Sequence, residues 1–139
     1  MDESTSKSGR CLCGAVQVVA KTVSSQVGVC HCGYCRTWSG GPLLAVDCGT
    51  DVVFDGTEHI TTYASSAWAE RGFCSRCGTH LFFRLKANGQ VLMPPGLFED
   101  TEGFVLSEQI FVDRKPGYYA FANPTAMLTE AEFLAKYGA

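Results

Sequence analysis

Short runs of apolar residues, separated by turn-forming residues, recur along most of this chain. The segment 14–23 (GAVQVVAKTV) is rich in valine and partly alternates apolar with polar positions, which predicts a strand. Further runs with the length and composition of strands lie at residues 43–46, 52–54, 60–63, 80–85, 91–93 and 110–112. Glycine, proline, asparagine and aspartate occupy the gaps between them. The pattern predicts a mainly β fold made of small antiparallel sheets.

One segment has helical character. Residues 130–137 (EAEFLAKY) follow Thr129, which is a suitable N-cap, and Glu132 lies three residues further on. This spacing is a capping-box pattern, and Gly138 lies where a helix stop is expected. We therefore predict one short helix near the C-terminus.

The start of the chain is polar, and we predict a flexible tail over residues 1–9 followed by a single domain over residues 10–139. The first ten residues lack the apolar stretch of a secretory signal, and no apolar run reaches about 18 residues. These features predict a cytoplasmic protein with no membrane partner. The net charge of −3 argues against a nucleic-acid partner.

The eight cysteines change this picture, because seven of them fall into three tight groups. The groups are Cys11/Cys13, Cys30/Cys32/Cys35 and Cys74/Cys77, and Cys48 stands alone. A disulfide framework is disfavoured in a reducing compartment, and a C-x-C pair cannot easily bond to itself. Thiolates two or three residues apart on a tight turn can instead converge on one metal ion.

Two pairs of cysteines make one closed site of four ligands, which is the arrangement of structural zinc. The pairs Cys11/Cys13 and Cys74/Cys77 meet that requirement, and each is followed by a glycine that eases the turn. The central group then has three ligands, which leave one position for water or substrate, as in catalytic zinc sites. We predict two zinc ions per chain.

Two other partitions remain open on ligand counting alone. Cys48 could join the central group as a fourth ligand, although its strand-like surroundings favour a small core residue. An iron–sulfur cluster would also accept these ligands.

A zinc ion with three thiolate ligands is electron-rich and soft, so it favours a fourth sulfur ligand. A substrate thiol bound there would lose its proton far below the usual pKa of about 8.5. The thiolate could attack an electrophilic carbon, and the reverse reaction would break a carbon–sulfur bond. The chemistry predicted from the residues is therefore that of a carbon–sulfur lyase or synthase.

At this point the sequence resembles the glutathione-dependent formaldehyde-activating enzyme family, which includes centromere protein V. The resemblance is carried by segments spread over nearly the whole chain after residue 10: CLCGAV at 11–16, CHCGYCR at 30–36, WSGG at 38–41, RGFCSRCGT at 71–79, IFVD at 110–113 and KPG at 115–117.

The resemblance implies a β-tent fold around a structural zinc and the same division of ligands. It implies an S-(hydroxymethyl)glutathione synthase-like lyase that uses glutathione or a similar small thiol. The segment 96–100 (GLFED) departs from the Gly-Ser-Leu-Asp of many relatives, so Leu97 and Phe98 are expected to reshape the pocket, and the departure leaves the identity of the substrate open.

Supporting roles are predicted for residues beside the ligands. Arg36 and His31 are candidate catalytic residues, with His31 as a general base, and Arg71 and Trp38 are candidates for binding substrate. Each also has a plain structural alternative as a solvated, packed or supporting side chain. The alternative function for the whole chain is a non-enzymatic zinc-binding protein-interaction module. An exposed sheet edge would allow a homodimer.

Overall fold

The computed structural model describes residues 4–137, and for Ser4 only the backbone. The first three residues, and Gly138 with its predicted helix stop, lie outside the described residues. Within residues 4–137, both helices are too short to cross a lipid bilayer.

Most of the described chain forms strands, which confirms the mainly β prediction. The strands are β1 (Ser4–Arg10), β2 (Gln17–Ser24), β3 (Gln26–Cys30), β4 (Leu43–Asp47), β5 (Val52–Asp55), β6 (Ile60–Tyr63), β7 (Ala69–Cys74), β8 (His80–Leu85), β9 (Val91–Met93), β10 (Val105–Ile110) and β11 (Ala126–Leu128). The helices are α1 (Gly33–Ser39) and α2 (Glu130–Tyr137), and short 3₁₀ turns lie at Thr57–His59, Pro95–Leu97 and Val112–Arg114.

The strands form two sheets of unequal size. The small sheet is antiparallel and has the order β1-β2-β5. The large sheet has eight strands in the order β11-β10-β3-β4-β9-β8-β7-β6. In it β10 runs parallel to both β3 and β11, so the larger sheet is mixed rather than small and antiparallel. The parallel pairing between distant segments is not visible in local sequence patterns.

The hydrophobic core contains side chains from both sheets. Val18, Ala20 and Val23 of β2 pack in one cluster with Phe82 of β8 and Met93 of β9. The alternation of valine and polar residues in β2 directs one face of the small sheet into this cluster. The two cysteine turns at residues 11–13 and 74–77 border it, because Cys11 and Cys74 are part of the same buried cluster.

The predicted tail is wrong over residues 4–9. These residues form β1, which pairs with β2 through the backbone, for example Ser8 with Val19 and Gly9 with Val18. Gly9 also forms an isolated bridge with Phe98. The segment has almost no apolar side chains, so its order comes from backbone hydrogen bonds that a hydrophobicity pattern cannot reveal.

The predicted strands at 43–46, 52–54, 60–63, 80–85 and 91–93 are confirmed to within one residue. The predicted strand at 110–112 is displaced, since β10 ends at Ile110 and Phe111 takes a positive φ of 58° that turns the chain. Helix α2 is confirmed with its capping box. The amide of Thr129 donates to Glu132 Oε1 at 2.8 Å, and the amide of Glu132 donates to Thr129 Oγ1 at 3.2 Å.

The packing of β1 is tested by Gly9→Ala. A Cβ at residue 9 would lie 2.3 Å from the carbonyl oxygen of Leu97 and 2.8 Å from its carbonyl carbon, both backbone atoms. We expect the free energy of unfolding in urea to fall by about 1–3 kcal/mol, the usual cost of overpacking. Gly41→Ala is the control, because no atom lies within 4 Å of its added Cβ. Equal stability of the two variants would contradict the placement of β1.

Candidate metal centres

The first cysteine cluster is made by two turns of the same design. In one, Cys11 and Cys13 precede Gly14, whose amide donates to the carbonyl of Cys11 at 3.1 Å. In the other, Cys74 and Cys77 precede Gly78, whose amide donates to the carbonyl of Cys74 at 2.7 Å. Both glycines have a φ of 80°, a backbone conformation that glycine adopts without a steric penalty. The predicted role of glycine in easing these turns is confirmed.

The four sulfur atoms of Cys11, Cys13, Cys74 and Cys77 lie within 4.8 Å of one another. The sulfur of Cys13 is 3.6 Å from that of Cys11 and 3.8 Å from that of Cys74. Four sulfurs at zinc–sulfur distances of about 2.3 Å are separated by about 3.8 Å in a tetrahedron. The donor set and its spacing therefore fit a tetrahedral metal ion.

Hydrogen bonds at this cluster favour the thiolate form of Cys11 and Cys77. Thr79 links the two turns, since its hydroxyl oxygen accepts from the amide of Leu12 at 3.1 Å and lies 3.1 Å from the sulfur of Cys77. Its hydroxyl and amide hydrogen bonds lower the pKa of Cys77 to about 5. The amide of Val16 donates to the sulfur of Cys11 at 3.3 Å. Hydrogen bonds to sulfur stabilise the charged form that binds metal.

The second cluster lies where β3 ends and α1 begins. The sulfur atoms of Cys30, Cys32 and Cys35 are within 4.8 Å of one another, and no other metal-ligating side chain of residues 4–137 joins them. Cys32 is the N-cap of α1, and its sulfur accepts from the amide of Cys35 at 3.4 Å. The turn from strand to helix thus points three thiols at one place, and this set could hold a metal ion with one position left for another ligand.

The three thiols influence one another's protonation. Hydrogen bonds from Cys30 and then Cys35 lower the pKa of Cys32 to about 2. Cys32 and then Cys35 raise the pKa of Cys30 far above its usual range. One thiol therefore loses its proton easily. Its negative charge then opposes deprotonation of the neighbouring thiols, because like charges repel at this short distance. A divalent cation among the sulfurs removes that conflict, so the electrostatics also fit a metal ion.

Cys48 is not part of either cluster. It is fully buried in the core, and burial raises the pKa of its thiol to about 12. A neutral thiol in an apolar environment packs as a small hydrophobic residue. Cys48 therefore serves the core, and the partition that made it a fourth ligand of the second cluster is wrong.

His31 lies between two ligands but faces away from solvent, fully buried. Its Nε2 is 2.8 Å from Gln109 Oε1, and its Nδ1 is 2.9 Å from Tyr119 Oη. The amide nitrogen of Gln109 donates to Thr125 Oγ1 at 3.0 Å, so its oxygen accepts the proton on His31 Nε2. Nδ1 then accepts from the hydroxyl of Tyr119. Burial also lowers the pKa of His31, so the ring is neutral with both nitrogens engaged.

Both ring nitrogens of His31 are thus occupied by hydrogen bonds that hold the turn of Cys30 and Cys32, and its role as a general base stays a prediction. Tyr119, Gln109 and Thr125 are missing from the sequence prediction. The only signal for them is that Gln109 of β10 is buried. The burial of a single polar residue cannot be predicted from the sequence.

Arg36 contacts the backbone of the second cluster, and Arg71 contacts one of its sulfurs. Arg36 Nε donates to the carbonyl oxygen of His31 at 2.9 Å, which closes the turn that carries the ligands. Arg71 Nη2 lies 3.7 Å from the sulfur of Cys35, and Arg71 Nε donates to Ser65 Oγ at 3.1 Å. Arg71 is a buried residue of β7. The structure therefore brings both predicted arginines to the second cluster.

Trp38 lies on α1 against the large sheet. Its ring makes edge contacts with Phe73 at 5.8 Å and His80 at 5.4 Å between centroids. The guanidinium carbon of Arg71 is 5.8 Å from the centre of the Trp38 ring. The ring of Trp38 therefore packs beside Arg71, the arginine that contacts Cys35.

Phe98, predicted to reshape the substrate pocket, is instead a core residue. It is 3% exposed, it belongs to the main buried cluster, and its ring packs against Phe104 at 6.4 Å. No surface of this side chain is left for a ligand. The expectation failed because a local departure in sequence does not reveal which way a side chain points from a 3₁₀ turn.

Comparisons with known proteins agree with the geometry. Residues 6–114 match the family described as glutathione-dependent formaldehyde-activating enzyme. An uncharacterized lyase of Schizosaccharomyces pombe is 37% identical over 128 residues, covering 91% of this chain and 93% of that protein. A Halomonas elongata protein, provisionally named a glutathione-dependent formaldehyde-activating enzyme, is 34% identical over 83 residues, 53% of each chain.

A solved structure of a Rhodobacter sphaeroides protein has the same fold. Its TM-score is 0.56 at 23% identity, and the match covers 66% of this chain and 87% of that one. This likeness supports the fold described above.

The metal role of the first cluster is tested with two matched variants. Cys74 and Cys48 are both fully buried, but only Cys74 belongs to a cluster. We expect Cys74→Ala to lose one metal ion per chain and several kcal/mol of stability, because metal binding contributes to folding free energy. Cys48→Ala should keep its metal and lose about 1 kcal/mol or somewhat more. Metal analysis and thermal unfolding measure both, and unchanged metal content in Cys74→Ala would contradict the assignment.

The support of His31 is tested with Tyr119→Phe. This change removes the hydroxyl that donates to the buried Nδ1 of His31, and an unpaired buried acceptor costs about 1–3 kcal/mol. Tyr118→Phe is the control, since Tyr118 is 76% exposed. Urea unfolding should separate the two variants. If both variants are equally stable, Tyr119 does not hold His31 in place.

Proposed function

This chain belongs to the glutathione-dependent formaldehyde-activating enzyme family, and we propose that it is a zinc-dependent carbon–sulfur lyase or synthase. It would make or break the bond between a small thiol, such as glutathione, and an electrophilic carbon. Membership of an enzyme family argues against the alternative of a non-enzymatic interaction module.

The observation that carries the proposal is the contrast between the two cysteine clusters. The first offers four sulfur ligands and the second three, from Cys30, Cys32 and Cys35. A closed four-ligand site suits a structural ion, and a three-ligand site suits a catalytic one. We therefore propose two zinc ions per chain with these separate roles.

A zinc ion among the three sulfurs would supply Lewis-acid chemistry that favours the thiolate form of a substrate thiol and stabilises it as a leaving group. In the synthetic direction, the sulfur electron pair forms the new bond to the carbonyl carbon. The π electron pair of the carbonyl moves to its oxygen, and the proton lost by the thiol ends on that oxygen. The lyase direction reverses each of these movements, so one site serves both.

The chain's own residues hold this site in place. Hydrogen bonds fix the backbone that carries Cys30 and Cys32. The ring of His31 is bonded to Gln109 and Tyr119, and Arg36 donates to the His31 carbonyl. A fixed backbone keeps three sulfurs converged, and convergence is the condition for binding one ion.

Substrate binding is proposed for the region of Arg71 and Trp38. Arg71 Nη1, Trp38 Nε1 and Ser66 Oγ are buried and have no hydrogen-bond partner among residues 4–137. Buried donors without partners are costly, so a bound molecule with acceptor atoms would stabilise them. Carboxylates, which glutathione carries, are the acceptors that a guanidinium favours.

The proposal is tested with Cys32→Ser. Serine keeps an N-cap for α1, so the fold should persist while the second cluster loses a sulfur ligand. We expect formation and cleavage of the adduct between formaldehyde and glutathione, or between another aldehyde and thiol, to fall more than about 100-fold. One zinc ion per chain should remain.

Cys48→Ala is the control for removing a cysteine elsewhere, and it should keep the activity. Full activity in folded Cys32→Ser that has lost its second zinc ion would refute the proposed chemistry. Wild-type protein that carries two zinc ions but turns over no thiol and carbonyl pair would refute it as well.

A further inference from the structure

Arg71 is a charged side chain in a place that normally excludes charge. It is 2% exposed and lies on β7, the second strand from one edge of the large sheet. Among residues 4–137 no carboxylate lies within ion-pair distance of it. The acid next to it in sequence, Glu70, points to the opposite face of β7 and pairs with Arg84 at 3.1 Å.

The neutral contacts of Arg71 do not supply a full counter-charge. Ser65 accepts one hydrogen bond at 3.1 Å, and the rings of Phe83 and Trp38 lie 5.0 and 5.8 Å from the guanidinium carbon. Such contacts between a cation and an aromatic face are weaker than the cost of burying an unpaired charge. A buried arginine therefore needs an anion nearby.

The nearest candidate for that anion is the second cysteine cluster. Arg71 Nη2 is 3.7 Å from the sulfur of Cys35, which is itself buried. Cysteines bind metal as thiolates, so three of them with one divalent ion carry a net charge of −1. Arg71 brings a positive charge against one of these sulfurs, whereas Arg36 is only half-buried and its Nε is bonded to the carbonyl of His31.

We propose that Arg71 is the counter-ion of the Cys30–Cys32–Cys35 metal centre, an inference that rests on the proposed function for its metal. Arg71 offsets the negative charge of the metal-loaded centre inside the protein. A centre whose charge is offset holds its ion more tightly there than an uncompensated one would, and a substrate thiolate then adds its negative charge beside a guanidinium.

The first cluster supports this reading by contrast. Four thiolates with one divalent ion carry a charge of −2, but Cys13 is exposed and Cys77 is half-buried. Water solvates that charge, and none of the arginines is buried there. Of the arginines in the described part of the chain, only Arg71 is buried, and it contacts the cluster that has no exposed cysteine.

The test measures metal affinity rather than turnover. Arg71→Met removes the charge and keeps an apolar stem, Arg71→Gln removes the charge and keeps hydrogen bonding, and Arg71→Lys keeps the charge. Arg84→Met is the matched control, because Arg84 also lies over an aromatic ring, that of Phe82 at 4.3 Å, on the neighbouring strand β8. Competition with a chromophoric chelator gives the affinity of each of the two zinc ions.

We expect both neutral variants to bind the second zinc ion roughly 10–100-fold more weakly, the range seen when a group that supports a ligand is removed. Arg71→Lys should recover most of that loss, and Arg84→Met should lie within about twofold of wild type. The first zinc ion is the internal reference and should be unaffected throughout. With cobalt in place of zinc, the sulfur-to-metal absorption band should shift in the neutral variants and in neither of the others.

Two outcomes would overturn the proposal. One is wild-type affinity for the second zinc ion in folded Arg71→Gln or Arg71→Met. The other is unchanged affinity with a raised KM for carboxylate-bearing thiols, which would make Arg71 a substrate-binding residue alone. Since affinity is measured without substrate, absence of carbon–sulfur activity in the wild type would refute the proposed function without affecting this result.

Discussion

Convergence of sulfur atoms is the constraint on which the rest of this structure depends. The sulfurs of Cys13 and Cys74 come from residues 61 positions apart and lie 3.8 Å from each other. Two glycine-ended turns make this possible, and they border the core because Cys11 and Cys74 are fully buried in it. A metal ion at this place would tie the small sheet to the large one, which is a strong restraint for a chain of 139 residues.

The sulfurs of the second cluster also converge, but other contacts hold them there. Its turn is short, and its backbone is braced through His31 by residues of β10 and of the segment before β11. The match to the family ends at residue 114, so Tyr119 and Thr125 act on the ligand turn from outside the matched region. The parallel pairing of β10 with β3 and β11 brings these side chains together. The mixed topology of the large sheet thus has a direct consequence for the site.

Charge distinguishes the two clusters as clearly as ligand number does. The first includes the exposed Cys13, where water can solvate an excess of negative charge, and the second has no exposed cysteine and has Arg71 beside it. Leaving a buried guanidinium without a neighbouring negative charge, such as a metal-bound thiolate, is strongly destabilising. The cluster that the ligand count marks as catalytic is therefore also the one where the protein places a compensating charge.

The sequence by itself determined the short cysteine motifs that could hold metal ions, the glycine turns, five of the strands and the capped helix α2, because each of these depends on residues that are close together in the chain. Only the tertiary structure decided that residues 4–9 form a strand, that Phe98 is core, and that Cys48 belongs to neither cluster. It also decided the partners of His31 and the burial of Arg71. These features depend on contacts between segments far apart in sequence, where a polar residue such as Gln109 or Arg71 looks solvent-exposed until the strands that cover it are in place.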